Sequence, residues 1–258
     1  MANGIYNVHP MESPRYHLAR ANVRFREIRR HVEQHAKSGA FSLTTETDPE
    51  NGKRRTVLRR TKRTPIAVGA TVNDAFEELR KALDQACYAV AKAAGKSGRK
   101  CAFPFGETEQ ELAGRLTGIS REIPKEIFDA ILAFQPRLDG DKFLWAINAI
   151  ANHSKHRVTI AYPTPVSSAT ISQIVLNGSG SLLGPWNEAR GELMIAEVDA
   201  DSDLSIGDMQ FGVSLIFGEI EGLEGMNVEP VFLHAESKVG QILDTIQEKA
   251  EELALFSS

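Results

Sequence analysis

Residues 71–94 repeat apolar side chains at the helical period without a break, and this stretch constrains the fold more than any other. Val72, Ala75, Phe76, Leu79, Ala82, Leu83, Ala86, Cys87, Val90 and Ala94 fall on one broad side of a helix. A side that wide must be covered by other elements, so the stretch predicts the centre of a helical core. Gly95 stops it. Other helices are expected around it. Residues 14–37 are rich in Arg and His, with Leu18, Val23, Phe25, Ile28 and Val32 forming an imperfect apolar stripe. Shorter helices are expected over 107–116, 124–134 and 141 to about 155, with Pro124 at a start and Pro136 just past an end.

Two regions break this helical pattern. Residues 41–47 and 56–62 look like two strands around Asp48-Pro49-Glu50-Asn51-Gly52, whose Asn-Gly pair suits a hairpin turn. Beyond Arg157 short β-rich runs take over at 158–161, 170–176, 192–198 and 210–217, separated by Gly, Pro, Ser and Asp clusters. A last amphipathic helix is expected over 238–255. The expected class is therefore α+β: a helical core with an N-terminal β-hairpin and a C-terminal antiparallel β-rich region ending in a helix. In domain terms, 1–157 would form the core with its basic hairpin and 158–258 the β-rich part, packed together as one unit.

With 42% hydrophobic and 25% charged residues in 258, the chain is neither disordered nor fibrous in composition. Residues 1–10 lack a basic stretch followed by an apolar run, so a cytoplasmic location is expected. Residues 158–187 carry no Asp, Glu, Lys or Arg, but Pro and Gly interrupt them too often for a membrane span, and no membrane partner is expected. Cys87 and Cys101 are too few for a disulfide framework, and no tight spacing joins them to His153 or His156 as metal ligands. Gly95-Lys96-Ser97 has Val90 where a P-loop needs Gly. Gly178-Ser-Gly180 leads into Pro185 instead of a helix, and Asp199-Ala-Asp201-Ser-Asp203 has Leu204 where a calcium loop needs Gly. No cofactor or metal is expected from these motifs.

Charge is strongly segregated. Residues 1–63 carry +8, residues 64–186 carry +1 and residues 187–258 carry −13. A basic front and an acidic tail can attract each other within one molecule or between protomers, or compete for an anionic ligand. Lys53, Arg54, Arg55, Arg59, Arg60, Lys62 and Arg63 put positive charge on both faces of the second hairpin strand, which suits an exposed ribbon contacting nucleic-acid phosphates. The same pattern also suits an edge strand that merely avoids pairing with other chains.

Two clusters can carry chemistry. Arg80 stands at the border of the apolar side of its helix, between Glu77 and Asp84, which either simply pair with it or hold its guanidinium ready for a phosphate. The helix from Asp141 has Phe143, Leu144, Ile147, Ile150 and Ala151 on one side and Trp145, Asn148, Asn152, Lys155 and His156 on the other, with Arg157 following. His156 can exchange a proton near neutral pH, and Lys155, Arg157 and Arg80 can stabilise phosphate charge. Cations complementing the helix dipole account for Lys155, His156 and Arg157 equally well, but not for the two Asn.

Leu79-Arg80-x-Ala82-Leu83-Asp84, Phe103-Pro104-Phe105, Gln135-Pro136 and Asn152-x-x-Lys155-His156-Arg157, in that order, resemble a widespread group of uncharacterised bacterial proteins whose motifs read L-R-S-A-L-D-H and N-x-x-K-H-R. Its first motif is similar to the signature of HEPN domains, helical modules that often dimerise and of which many are metal-independent RNases of toxin and antiviral systems. The resemblance implies a HEPN-like core, a homodimer, and RNA or another phosphate ligand as partner. It makes Arg80 and His156 the catalytic pair and Asn148, Asn152, Lys155, Arg157, Asp84 and Gln85 the substrate-binding residues. Gln85 stands where the motif histidine belongs, and Glu77 and Glu78 where His-Asn is frequent. Gln cannot transfer a proton, so His156 would have to supply the acid or base. Two other readings remain: a non-enzymatic interaction module meeting an acidic surface, and a binder of nucleotides or other small ligands using Trp145 and Trp186.

Overall fold

In the computed structural model, residues 9–48, 51–154, 161–171, 174–182, 184, 186–187, 189–207, 209–218 and 220–256 are described. Among them the chain runs through six helices and nine strands: α1 Glu12–Lys37, β1 Phe41–Thr47, β2 Arg54–Arg60, α2 Ile66–Ala93, α3 Glu109–Gly114, α4 Lys125–Leu132, α5 Lys142–Ser154, β3 Ala161–Ile171, β4 Ile174–Asn177, β5 Gly180–Leu182, β6 Trp186–Asn187, β7 Glu192–Val198, β8 Asp203–Ile206, β9 Met209–Phe217 and α6 Val228–Glu252. The class is α+β. No helix among the described residues is long and apolar enough to cross a membrane.

The chain divides into two compact units, each assembled from separated stretches. A helical unit takes Met1–Glu27, Gly69–Ile160 and Phe217–Ser258; a sheet-bearing unit takes Ile28–Val68 and Ala161–Ile216. This differs from the expected split at residue 157 in two respects. The hairpin belongs with the β-rich region, because β2 hydrogen-bonds to β7 from Arg54 to Arg59. The last helix belongs with the helical unit, because α6 packs on α4 and α5 and buries Val231, Phe232, Ala235, Val239, Ile242 and Leu243 there.

Aromatic rings join the parts of the helical unit. Phe232 of α6 stacks on Phe25 of α1 at 4.2 Å between centroids, and Phe76 of α2 meets Phe232 edge-on at 5.7 Å. Each fully buried Phe contributes about 1.5–3 kcal/mol. Two of the three long helices begin well before the sequence reading places them. α2 starts at Ile66, directly after Pro65, five residues before the expected start at 71. α6 starts at Val228, where the Asn227 side chain accepts a hydrogen bond from the Glu229 N–H at 2.9 Å. Pro230 hides this start from a sequence reading, yet it sits in the first turn, where an N–H has no helical partner to lose.

In the sheet-bearing unit the order is β1-β2-β7-β5, with β6 also pairing with β7; β3 pairs with β9, and β4 with β8. The β1–β2, β2–β7 and β5–β7 ladders are antiparallel. β2 is thus an inner strand rather than the exposed ribbon expected from its charges. Thr56, Val57 and Leu58 are all buried, so both faces are covered at its centre. Leu58 joins Ala40, Phe41, Leu193 and Ile195 in one apolar cluster, with Trp186 packed against it.

Candidate functional site

Arg80 projects from α2 beside the fully buried Leu79 and Leu83, which anchor that helix in its core. Its guanidinium reaches α5. Arg80 Nη1 donates to Asn148 Oδ1 at 2.6 Å and to Asn152 Oδ1 at 3.3 Å, and Asn152 Nδ2 donates to Asn148 Oδ1 at 3.1 Å. The two Asn are four residues apart, one helical turn, so both amides face the same partner. Neutral amide oxygens fix a guanidinium without cancelling its charge, which carboxylates would do.

Asp84 brings a carboxylate to this group, with Oδ2 at 3.6 Å from Arg80 Nε. Its Oδ1 accepts the Phe103 N–H at 2.9 Å, so the same side chain ties the Phe103-Pro104-Phe105 segment to α2. The Phe105 ring lies 5.9 Å from the Arg80 guanidinium carbon, and Arg115 Nε donates to the Phe105 carbonyl at 3.0 Å. Four of the residues singled out in the sequence, Arg80, Asp84, Asn148 and Asn152, therefore meet. Arg80 keeps about a quarter of its side chain accessible (24%). Both amide contacts fall on Nη1, and the accessible part of the guanidinium is where an anion would approach.

The other sequence candidates fall elsewhere. Lys155, His156 and Arg157 lie outside the described residues. Gln85 is exposed. Trp145 is not on an open side of α5 as expected, because Leu144, Trp145, Ala146 and Ile147 are all buried and this one turn of the helix is covered on every side. Glu77 reaches Lys81 at 4.0 Å. Glu78 turns the other way, into the α1 contact, and accepts from His17 Nδ1 at 2.7 Å, with Arg20 at 3.5 Å and Lys81 at 3.4 Å. Burial pushes the Glu78 carboxyl up, but the His17 hydrogen bond and the Lys81 and Arg20 charges together outweigh it and hold the group below its ordinary range.

Six of the seven hairpin cations have partners within their own unit, and the seventh, Arg63, is exposed. Arg55 is close to Asp48, Glu192 and Glu197, and Arg59 bonds Glu46 and Glu192, both at 2.9 Å. Lys53 approaches Asp199 at 3.4 Å, Arg54 donates to the Ser202 carbonyl, Lys62 donates to the Ser38 carbonyl, and Arg60 lies over the Trp186 ring at 5.7 Å. Glu192, with only 5% of its side chain accessible, is the hub of this network. Trp186 is thus a packing partner of Arg60 and Phe41.

Two His–carboxylate pairs escaped the sequence reading. His17 and Glu78 are 61 residues apart, and His234 and Asp141 are 93 apart, with Nε2 at 2.8 Å from Asp141 Oδ2. No local spacing signals such pairs; only the packing of α1 on α2 and of α6 against the start of α5 creates them. The cysteines are not nucleophiles in this setting, since burial pushes the Cys87 thiol well above its ordinary range and raises Cys101 too. Among the described residues no group of three or more His, Cys, Asp or Glu is placed to hold a metal ion. Comparison with protein-family models, curated proteins and solved structures finds no match.

Proposed function

We propose that this chain is a HEPN-like RNA-binding protein whose Arg80 grips an RNA phosphate, and that it cleaves RNA without a metal ion. The observation that carries the reading is the guanidinium held by Asn148 and Asn152 and still partly accessible beside Phe105. A positioned guanidinium can stabilise the charge that builds on a phosphate during attack by the neighbouring 2′-hydroxyl, which closes a cyclic phosphate and releases the 5′-oxygen. His156, four residues beyond Asn152 in the sequence, is the proton-transfer group in this reading, and Lys155 and Arg157 add positive charge. A single imidazole assigned to the site in each chain leaves the second proton transfer to a partner protomer, so a homodimer belongs to the proposal. The hairpin cations contribute less, because most of them are already engaged in ion pairs or carbonyl contacts.

The test incubates end-labelled RNA in EDTA with the wild-type protein, Arg80→Ala and His156→Ala. Cleavage by the wild type that is lost in both folded variants supports the nuclease. Binding that Arg80→Ala weakens, without cleavage by any of the three, reduces the proposal to a binding module. Neither binding nor cleavage refutes it.

A further inference from the structure

Where the loop before α5 meets α6, the helical unit has an open cavity of about 630 Å³, a size suited to a small organic ligand. Phe134, Asp141, Lys142, Phe143, His234 and Lys238 supply its chemistry. Asp141 is already committed: Oδ1 caps α5 by accepting the Leu144 N–H at 3.0 Å, and both oxygens face His234 Nε2, at 3.0 and 2.8 Å. That contact holds the imidazole with its Nε2–H toward the carboxylate, so Nδ1 is an acceptor and the donors for an anion in this cavity are the two lysines.

Lys142 and Lys238 are the two cations of this lining. Among the described residues neither forms an ion pair; instead Lys142 Nζ lies 5.4 Å from the Phe143 ring centroid and Lys238 Nζ 6.0 Å from that of Phe134. An aromatic face steadies an ammonium without neutralising it. The loop beneath is stiff. Gln135 adopts φ 51°, and its carbonyl accepts from the N–H groups of Arg137 at 2.7 Å and Asp141 at 2.9 Å. A Cβ on Gly140 would come within 2.8 Å of Gln135 Cβ. A strained, braced loop presenting charge to a cavity is the usual setting of a ligand clamp.

We infer that this cavity binds a phosphate monoester, with Lys142 and Lys238 meeting the dianion and the half-buried Phe rings receiving the organic part. Each ammonium carries three rotatable donors, which suits a three-oxygen dianion better than a flat carboxylate, whose natural match is an arginine fork absent from this lining. A mononucleotide and the phosphorylated end of an RNA strand carry the same group. The site stands apart from the Arg80 cluster and does not depend on it.

Calorimetric titration at low salt tests the inference with AMP, UMP, adenosine, inorganic phosphate, and one short RNA with or without a 5′-phosphate. AMP or UMP is expected to bind at least about tenfold more tightly than adenosine. Lys142→Met and Lys238→Met, both surface changes whose folding circular dichroism can check, are each expected to weaken that binding by about tenfold, while Arg80→Ala leaves it unchanged. Preference for the 5′-phosphorylated RNA over the mononucleotides assigns the site to strand ends, and the reverse to free nucleotides. The inference is overturned if no phosphorylated probe binds, if adenosine binds as well as AMP, if both lysine variants bind normally, or if Arg80→Ala alone abolishes binding.

Discussion

Arg80 and His35 illustrate opposite fates of a cationic side chain. Arg80 is held by neutral amides and keeps its charge. His35 is buried, and burial first, then the nearby Lys62 and Arg60 charges, push its imidazole below the ordinary value of 6.5. In the folded state His35 therefore resists protonation while the unfolded chain does not. Above pH 6.5 neither state takes the proton and the full stability is present. As pH falls from 6.5 through the folded value, the unfolded chain gains protons first and stability is lost. Urea unfolding across pH 7.5 to 5 should show this slope, and His35→Gln should flatten it; an unchanged slope in the variant would assign the acid sensitivity elsewhere. The candidate site was legible at this scale only in part. Arg80, Asp84, Asn148 and Asn152 could be picked out because a helical period places them on facing stripes. His234 and Asp141 could not, because their meeting depends on how two helices pack.

Elements were easiest to read where one apolar period ran long, as in α2, or where alternation met a turn signal, as in the β1–β2 hairpin. β5, β6 and β8 have three, two and four residues, too few for a period to register; β5 and β6 are defined by pairing with the longer β7, and β8 by pairing with the equally short β4. The role of β2 was hidden for a different reason. Its arginines read as a solvated ribbon, whereas β7 brings glutamates alongside and makes β2 an inner strand. Glu192 is the critical partner, because its removal leaves Arg55 and Arg59 short of a buried counter-charge. Glu192→Ala should cost about 3 kcal/mol or more in chemical unfolding, whereas Glu33→Ala, at an exposed helix pair, should leave the unfolding midpoint almost unchanged. Equal effects would mean that the network is only decorative.

Across the whole molecule, the separation of charge along the sequence is folded back on itself. In the helical unit Arg15 of α1 meets Asp244 of α6 at 2.8 Å and Asn22 meets Glu236 at 3.0 Å; in the sheet-bearing unit hairpin arginines meet β7 glutamates. The basic front is therefore less available to outside anions than its count suggests, and Arg80 stands out as the guanidinium held by amides. Each unit also closes through distant stretches of chain, so α6 is integral to the helical core. Ending the chain after Asn227 removes Phe232 from between Phe25 and Phe76 and should abolish the cooperative thermal transition of that unit in circular dichroism. A retained sharp transition would show that the helices fold without it. The most direct test of the proposed role is fluorescence anisotropy of a labelled single-stranded RNA titrated at several salt concentrations with wild-type protein and Arg80→Ala. The account predicts salt-sensitive binding that the substitution weakens by about tenfold or more, with a log-log salt slope smaller by about 1. Binding that is absent in the wild type, or identical in the two proteins, would contradict it.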